Sequence, residues 1–375
     1  MKKAYGSGSI RKRSDGTWEG RILIDGKSRS VYGKTQTVVR QRLTQIRSEL
    51  DNDEYVEPSK LTLQAWLEMW QDTYLEDVKG STADRYRSCA RTHIIPALGT
   101  MQLIDLKPST IQQFLNACKR KGLAKKSVMN IRLVLHRALE QAVDDEQIKR
   151  NPCDKTKVPS YDEPVKEMRP LKDNEVAEFL SKTKGDPYEV MFYVALFTGM
   201  RESELIGLTW DCIDFEHGTI HLYRQLKRAR GSGEGYVFTT LKNKQSRVFA
   251  AAPDVLSVLH KRSIKQKEDR LRAGGLWENT DNLVFTNEVG RHIATHTLWK
   301  HFKAIVTGMG LPEMRFHDLR HSYATLALQN DINVKTVSAT LGHATTAFTL
   351  DKYGHVSDAM QRDSADKMQR FISSL

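Results

Sequence analysis

Thr198-Gly199-Met200-Arg201-Glu202-Ser203-Glu204-Leu205 is the stretch on which the reading of this chain turns. Tyr188 to Phe197 before it is apolar at helical spacing, and a new helix is expected to begin near Ser203. A glycine turn between two helices would hold Arg201 at the break, where a guanidinium projects toward a phosphate instead of lying along a helix flank. Glu204 is placed to orient it. Taken alone, the stretch reads as an arginine serving as a helix-end surface charge.

Three clusters downstream change the weighing. Leu241-Lys242-Asn243-Lys244-Gln245-Ser246 lies between strand-like Tyr236 to Thr240 and Arg247 to Ala251. It is expected to be a hairpin tip, from which a lysine can enter a site when substrate arrives and donate a proton. His317-Asp318-Leu319-Arg320-His321-Ser322-Tyr323-Ala324 opens a helix, so positions 317 and 320 emerge on one face. His317 and His321 at i, i+4 imitate a zinc-protease helix, but Asp318 stands where that motif has Glu and no third ligand is evident. Gly342 reads as the C-cap of a helix from about Val334, which would hold His343 just beyond its end. Ten residues after His343 comes Tyr353, in Asp351-Lys352-Tyr353-Gly354-His355.

Each cluster alone is ordinary: Lys-rich turns and packing tyrosines are common. Together they put two guanidiniums, two imidazoles, an ammonium and a phenol in one region, with no Asp/Glu metal cluster. Cations aimed at a phosphate stabilise the extra charge of a pentacoordinate transition state without a metal. A phenol is then the natural nucleophile, because its attack leaves a covalent phosphoester and not a hydrolysis product. No metal and no cofactor are expected.

The rest of the chain fits a DNA-acting protein. Its 375 residues carry 58 Lys+Arg against 46 Asp+Glu, a formal charge of +12. Residues 1–47 hold twelve of those basic residues and three acidic ones, which points to a polyanion partner. Arg11, Lys12, Arg13 and Arg21 are the candidates there, and the bland alternative is a solubilising face. Strand-like Gly8 to Arg11, Trp18 to Ile24 and Lys27 to Tyr32, separated by turns at Ser14-Asp15-Gly16 and Asp25-Gly26, precede a helix from about Thr37 to Leu50. Asp51 to Ser59 reads as a linker. From Leu61 to Pro152 the pattern is a bundle of about four helices, clearest in the stripe from Ser127 to Val143 and visible around Ala65-Trp66-Met69-Trp70, with breaks at Pro96 and Gly99. Its exposed Arg85, Arg87, Lys125 and Lys126 are further candidates for DNA contact. A second linker is read over Asp154 to Arg169. Scattered Cys89, Cys118, Cys153 and Cys212 read as reduced, structural thiols. No apolar run approaches the length of a membrane span and no signal peptide is evident, so a cytoplasmic protein is expected.

In order and spacing, the motifs around Arg201, Lys242, His317-Asp318-Leu319-Arg320-His321, Leu341-Gly342-His343 and Tyr353 resemble the tyrosine recombinases of the integrase family. The match runs from about Lys172 to the end. His93-Ile94-Ile95-Pro96-Ala97-Leu98-Gly99 resembles the family's core-binding domain, and the basic N-terminus its three-stranded arm-binding domain. The resemblance implies a multidomain α+β chain: an arm-type DNA-binding domain at 1–55 with a small three-stranded sheet, a helical core-binding bundle at 61–155, and a mainly α catalytic domain with a small antiparallel sheet at 169–375. It implies that Tyr353 forms a 3′-phosphotyrosine and that Arg201, Arg320 and His343 hold the non-bridging oxygens. Lys242 would protonate the leaving 5′-oxygen, with Lys244 as the alternative in the same turn. His317 would assist proton transfer from the tyrosine, and Glu204 would support Arg201.

It further implies integration and excision of a mobile element by a homo-tetramer on double-stranded DNA, at core and arm sites, through a Holliday junction. DNA-bending or excision-directing proteins would assist. A terminal helix bearing Ala359, Met360, Ala365, Met368, Phe371 and Ile372 would dock on a neighbouring subunit or on its own domain. The phosphotyrosine conserves the bond energy of the cut strand, which agrees with the lack of a GxxxxGK[ST] run. A type IB topoisomerase, a chromosome-dimer resolvase and a non-cutting DNA-binding regulator are the competing readings; Tyr353 opposes the last.

Overall fold

Short turns and alternating apolar residues make the first sheet. In the computed structural model, β1 (Ser9–Lys12), β2 (Trp18–Ile24) and β3 (Lys27–Gly33) pair antiparallel in the order β1-β2-β3. Helix α1 (Gln36–Asp51) starts at Thr35, whose hydroxyl accepts from the Val38 amide. It lays Val39, Leu43 and Leu50 against Ile22 and Ile24 in a small core of their own. The structure describes residues 8–24, 26–52, 60–78, 80–161, 169–229, 235–241, 245–353, 368–370 and 372–373. Of the expected first linker, Asp51 closes α1 and residues 53–59 lie outside the described ones.

The chain divides into two compact units, Met1–Pro164 and Val165–Leu375. The first unit holds the sheet module and the helical bundle, which has a separate core. In the bundle, α2 (Leu63–Tyr74) buries Leu63, Trp66, Leu67 and Trp70. Ala65 and Met69, grouped with the tryptophans on sequence, face outward because the buried stripe follows the i, i+3, i+4 series from Leu63. Helix α3 (Gly80–Cys89) runs through a π-helical turn, Ala90–Ile94, into α4 (Ile95–Leu98). Pro96 does not break this run: it sits in the first turn of α4, just after the π turn, which absorbs the missing amide hydrogen bond. Helix α5 (Pro108–Arg120) and the 20-residue α6 (Lys125–Asp144) complete the bundle. The stripe read on α6 is buried from Val128 to Ala142, and Trp66 Nε1 donates to Ala138 O at 2.7 Å inside it.

The second linker starts later than its composition implies. Arg132 holds Cys153 O and Thr156 Oγ1, Gln112 Oε1 accepts from the Lys157 amide, and the Tyr161 hydroxyl donates to Leu123 O. Polar residues that look like linker therefore bind the flanks of α5 and α6. Burial pushes the thiols of Cys89 and Cys153 up to about 11 and about 12, as inert structural cysteines require.

The second unit runs α7 (Asp173–Thr183), α8 (Glu189–Thr198), α9 (Glu202–Ile206), β4 (Ile213–Asp214), β5 (Thr219–Leu222), β6 (Arg224–Arg228), β7 (Tyr236–Thr240), β8 (Arg247–Ala250), α10 (Pro253–Ala273), α11 (Thr295–Gly308), α12 (Asp318–Gln329), α13 (Val334–Leu341) and α14 (Thr346–Tyr353). Phe179, Phe192, Phe302 and Phe316, with ring centroids 5.6 to 6.3 Å apart, lie at the centre of its core. Strands β4-β5-β8 form one small antiparallel sheet and β6-β7 another. Polar β6 escapes a reading by apolar alternation, because its buried pair includes Gln225, satisfied by Ser203 and Thr240. Since β7 pairs with β6 and β8 with β5, residues 241–246 link two sheets and are not the tip of one hairpin. Among the described residues no helix is long and apolar enough to cross a membrane. Of the expected terminal helix face, only Met368 and Ile372 are described, and both are exposed.

Candidate active site

Two glycine-ended helices build the site. Helix α8 closes on Gly199, at φ 61° and ψ 21°, a left-handed conformation that other residues rarely adopt. A Cβ there would also lie 2.6 Å from Leu341 and from Tyr323. The break places Arg201 as N-cap of α9, with its backbone amide donating to Glu204 Oε2 at 2.9 Å and Nη1 to Oε1 at 2.7 Å. Its Nη2 reaches the Gly342 carbonyl at 3.1 Å.

Helix α13 ends as its sequence reads, on Gly342 at φ 64° and ψ 48°. Arg320, buried on α12, ties both ends together: Nη1 donates to Gly199 O at 2.7 Å and Nη2 to Leu341 O at 2.6 Å. His343 follows Gly342, with Nδ1 2.8 Å from Thr349 Oγ1, and its ring stacks on Tyr353 at 6.2 Å with 7° between planes. Burial and the charges of Arg320, Arg201 and Arg247 push the pKa of His343 down to about 4. Burial and the Arg201 charge bring Arg320 down to about 9. Burial together with the neighbouring positive charges lowers both groups, as in a site suited to an anion.

The counter-charge is Glu204, buried beneath both helix ends. Burial alone would raise its pKa, but Arg247 and Arg201 hold it at about 2. On sequence Arg247 belongs to none of the four clusters. At the start of β8 it grips Glu204 with both terminal nitrogens, at 3.0 and 2.7 Å, and donates Nε to Thr340 O at 2.7 Å. The signal was present: strand alternation puts Arg247 on the same face as buried Phe249, an inward charge that needs a partner.

Tyr353 ends α14, buried against Ala324, Ala327, Val337 and Leu341. Its hydroxyl lies 2.5 Å from Nδ1 of His321, and burial raises its pKa. His317 caps α12 as an exposed residue, its ring edge-on to His321 at 4.8 Å, and the protein around it together with Arg320 lowers its pKa. The site thus brings together Arg201, Glu204, His317, Arg320, His343 and Tyr353, and adds Arg247 and His321. Lys242 and Lys244 lie outside the described residues.

The candidates for DNA contact belong to the first unit. Arg11 and Arg21 bind Glu19, Arg13 lies over Tyr32 and beside Asp15, and Lys12 is exposed on β1. Arg85 and Arg87 are exposed on α3, the latter near Asp84, and Lys125 and Lys126 are exposed in the first turn of α6. The same unit contains a group of metal-ligand type that the sequence did not reveal, His136, Glu140 and Asp154. It is largely exposed, and His136 already binds Asp154 while Glu140 accepts from Asn151.

Residues 169–360 match the model of the phage integrase family, and residues 62–118 match the family's N-terminal SAM-like domain. The chain belongs to the phage integrase family. Its relatives in this family of tyrosine recombinases include a XerC-like tyrosine recombinase of Caldanaerobacter subterraneus subsp. tengcongensis, 27% identical over 352 residues and covering 90% of both chains. The ICEBs1 integrase of Bacillus subtilis is 29% identical over 265 residues, 70% of each chain. The fold resembles that of the Tn1549 transposon integrase solved with a circular intermediate DNA, with a TM-score of 0.68, 22% identity, and coverage of 82% of this chain and 99% of that one. It also resembles a lambda integrase dimer on a core site, with a TM-score of 0.59, 19% identity, and coverage of 93% and 96%. As an integrase-family member the chain is a site-specific DNA recombinase of the tyrosine class.

Proposed function

We propose that this integrase integrates and excises a mobile element, cutting each strand by attack of Tyr353 on the scissile phosphate. The attack leaves a 3′-phosphotyrosine and a free 5′-hydroxyl, and neither step draws on metal or ATP. The observation that carries the reading is the convergence of Arg201, Arg320 and His343 on the ends of α8 and α13, with the Tyr353 ring stacked on His343. The two guanidiniums and the imidazole hold the non-bridging oxygens and offset the charge of the transition state. Glu204 and Arg247 hold Arg201 in place. Lys242 serves as the acid for the leaving 5′-oxygen.

Residues 1–55, 61–155 and 169–375 act as arm-binding, core-binding and catalytic domains. Exposed Lys12, Arg13, Arg85, Arg87, Lys125 and Lys126 meet phosphates, and Arg11 and Arg21 do so with the charge left over from Glu19. The similar proteins include a transposon integrase solved with a circular intermediate DNA, the ICEBs1 integrase and a lambda integrase tetramer solved on a Holliday junction. A tetramer on two DNA sites, aided by DNA-bending or excision-directing proteins, is the matching assembly here.

The test uses nicked duplexes cut from the DNA flanking the protein's own gene. Tyr353→Phe removes one hydroxyl, so it is expected to abolish the covalent adduct while DNA affinity in a gel shift stays near that of the unaltered chain. Cleavage by the phenylalanine variant would overturn the assignment.

A further inference from the structure

A neutral imidazole carries one hydrogen for two nitrogens, so the nitrogen that meets a phosphate oxygen can donate to it in only one of the two tautomers. Burial and the charges of Arg320, Arg201 and Arg247 lower the pKa of His343 to about 4, which leaves the ring neutral until an anion arrives. Its Nδ1 lies 2.8 Å from Oγ1 of Thr349, a fully buried residue of α14. Among the described residues Nε2 has no hydrogen-bond partner. We infer that Thr349 is a positioning residue for strand cleavage: its hydroxyl occupies Nδ1 of His343 and so keeps a hydrogen on Nε2, the nitrogen left to meet a non-bridging oxygen. The inference rests on the reading of His343 as a holder of the scissile phosphate.

A hydroxyl can donate or accept, because its hydrogen rotates to suit the neighbour. Thr349 donates to Nδ1 while the ring is neutral with its hydrogen on Nε2, and accepts from Nδ1 when a bound phosphate draws a second proton onto the ring. Nε2 presents a hydrogen in both states. The disfavoured state is the neutral ring with its hydrogen on Nδ1. Thr349 would then have to accept, and its own buried hydrogen would need another acceptor. A helical threonine can find one in the carbonyl four residues back, as Thr44 does at Arg40 O and Thr198 at Val194 O. Thr349 makes no such bond, and among the described residues its hydroxyl has His343 as its partner.

Local sequence builds the arrangement. Thr349 and Tyr353 are the buried residues of α14 and stand one helical turn apart on the same face. The His343 ring lies against this turn, parallel to Tyr353 at 6.2 Å and edge-on to Phe348 at 4.9 Å. The helix that carries the nucleophile therefore also aims a group that holds the phosphate.

Thr349→Val removes the hydroxyl and keeps the shape. In single-turnover adduct formation on the nicked flanking duplexes it is expected to react roughly tenfold more slowly, the worth of about one hydrogen bond, with DNA affinity little changed. Thr349→Ser, which restores the hydroxyl, should recover most of the rate. A merely structural role would slow the reaction whatever stands at position 343, so the valine change is repeated in His343→Gln, where it should cost nothing further. Nitrogen NMR of the histidine-labelled chain at neutral pH, with His343 assigned by its loss in the glutamine variant, is expected to show a hydrogen on Nε2. An unchanged rate in Thr349→Val, an equal loss on the His343→Gln background, or a hydrogen on Nδ1 alone would each overturn the inference. If the valine variant does not fold, the spectrum of the unaltered chain carries the test by the same criterion. Failure of the unaltered chain to form any adduct would instead remove the reading of His343 on which the inference stands, while the spectrum would still report the tautomer.

Discussion

Glu19 in the first unit and Glu204 in the second meet the same pattern in different surroundings. Their side chains are 3% and 0% exposed, each takes bonds from two arginines, and each is held at about 2. The arginines differ. Those on Glu19 are 61% and 48% exposed, whereas Arg201 and Arg247 on Glu204 are 20% and 9% exposed. Water and salt reach the first group and screen it. The second works where little solvent enters, so losing one partner strands the others. A pairing pattern therefore does not set its own energetic worth; solvent access to the partners does. Around Glu19 the guanidiniums stand largely in solvent, while around Glu204 they also reach Gly342 O and Thr340 O at the end of α13.

The sharpest way to break this contrast is Glu204→Gln, which keeps the shape and leaves Arg201 and Arg247 without a counter-charge. Urea unfolding is expected to show a loss of about 3–5 kcal/mol, the usual cost of breaking a buried pair. Misplacement of Arg201 should lower adduct formation roughly 10²-fold. Acid titration comes next. A carboxylate with a lowered folded pKa contributes stability above its unfolded value of 4.5 and loses it as pH falls toward about 2, so unfolding midpoints should drop across that window. The linked change is about 3 kcal/mol, and it should be missing from Glu204→Gln. Arg247→Lys is milder: one ammonium cannot bridge both carboxylate oxygens, and a loss of about 1–3 kcal/mol in the same unfolding assay is expected. Glu19→Gln should have the smallest effect, leaving adduct formation on a core duplex unchanged and changing stability less in high salt than in low salt. A Glu19 variant as damaging as its Glu204 counterpart would dissolve the comparison.

Much of this was legible in residue patterns that local physics enforces. Glycine at 199 and 342 announced left-handed helix ends, and these position Arg201 and His343 as expected. The α6 stripe and the turns of the first sheet were equally plain, because burial and turn chemistry act over a few residues. Features that depend on distant partners were less visible. Arg247 matters only because β8 brings it to Glu204, 43 positions away in sequence. His321 stands out on sequence only as the i+4 mate of His317, since its contact with Tyr353 spans 32 positions. Polar β6 and the anchored stretch up to Tyr161 looked like loop because their stabilising contacts are hydrogen bonds, which leave no apolar rhythm.

The central claim is that Tyr353 becomes covalently joined to DNA. Its most direct test incubates the unaltered chain with the nicked flanking duplexes, in chelator and without ATP, and maps any SDS-resistant adduct by mass spectrometry. The account predicts a nucleotide linked through a 3′-phosphate to Tyr353 and a free 5′-hydroxyl on the released strand. An adduct on another residue, or tight binding to those flanks with no adduct at all, would contradict it.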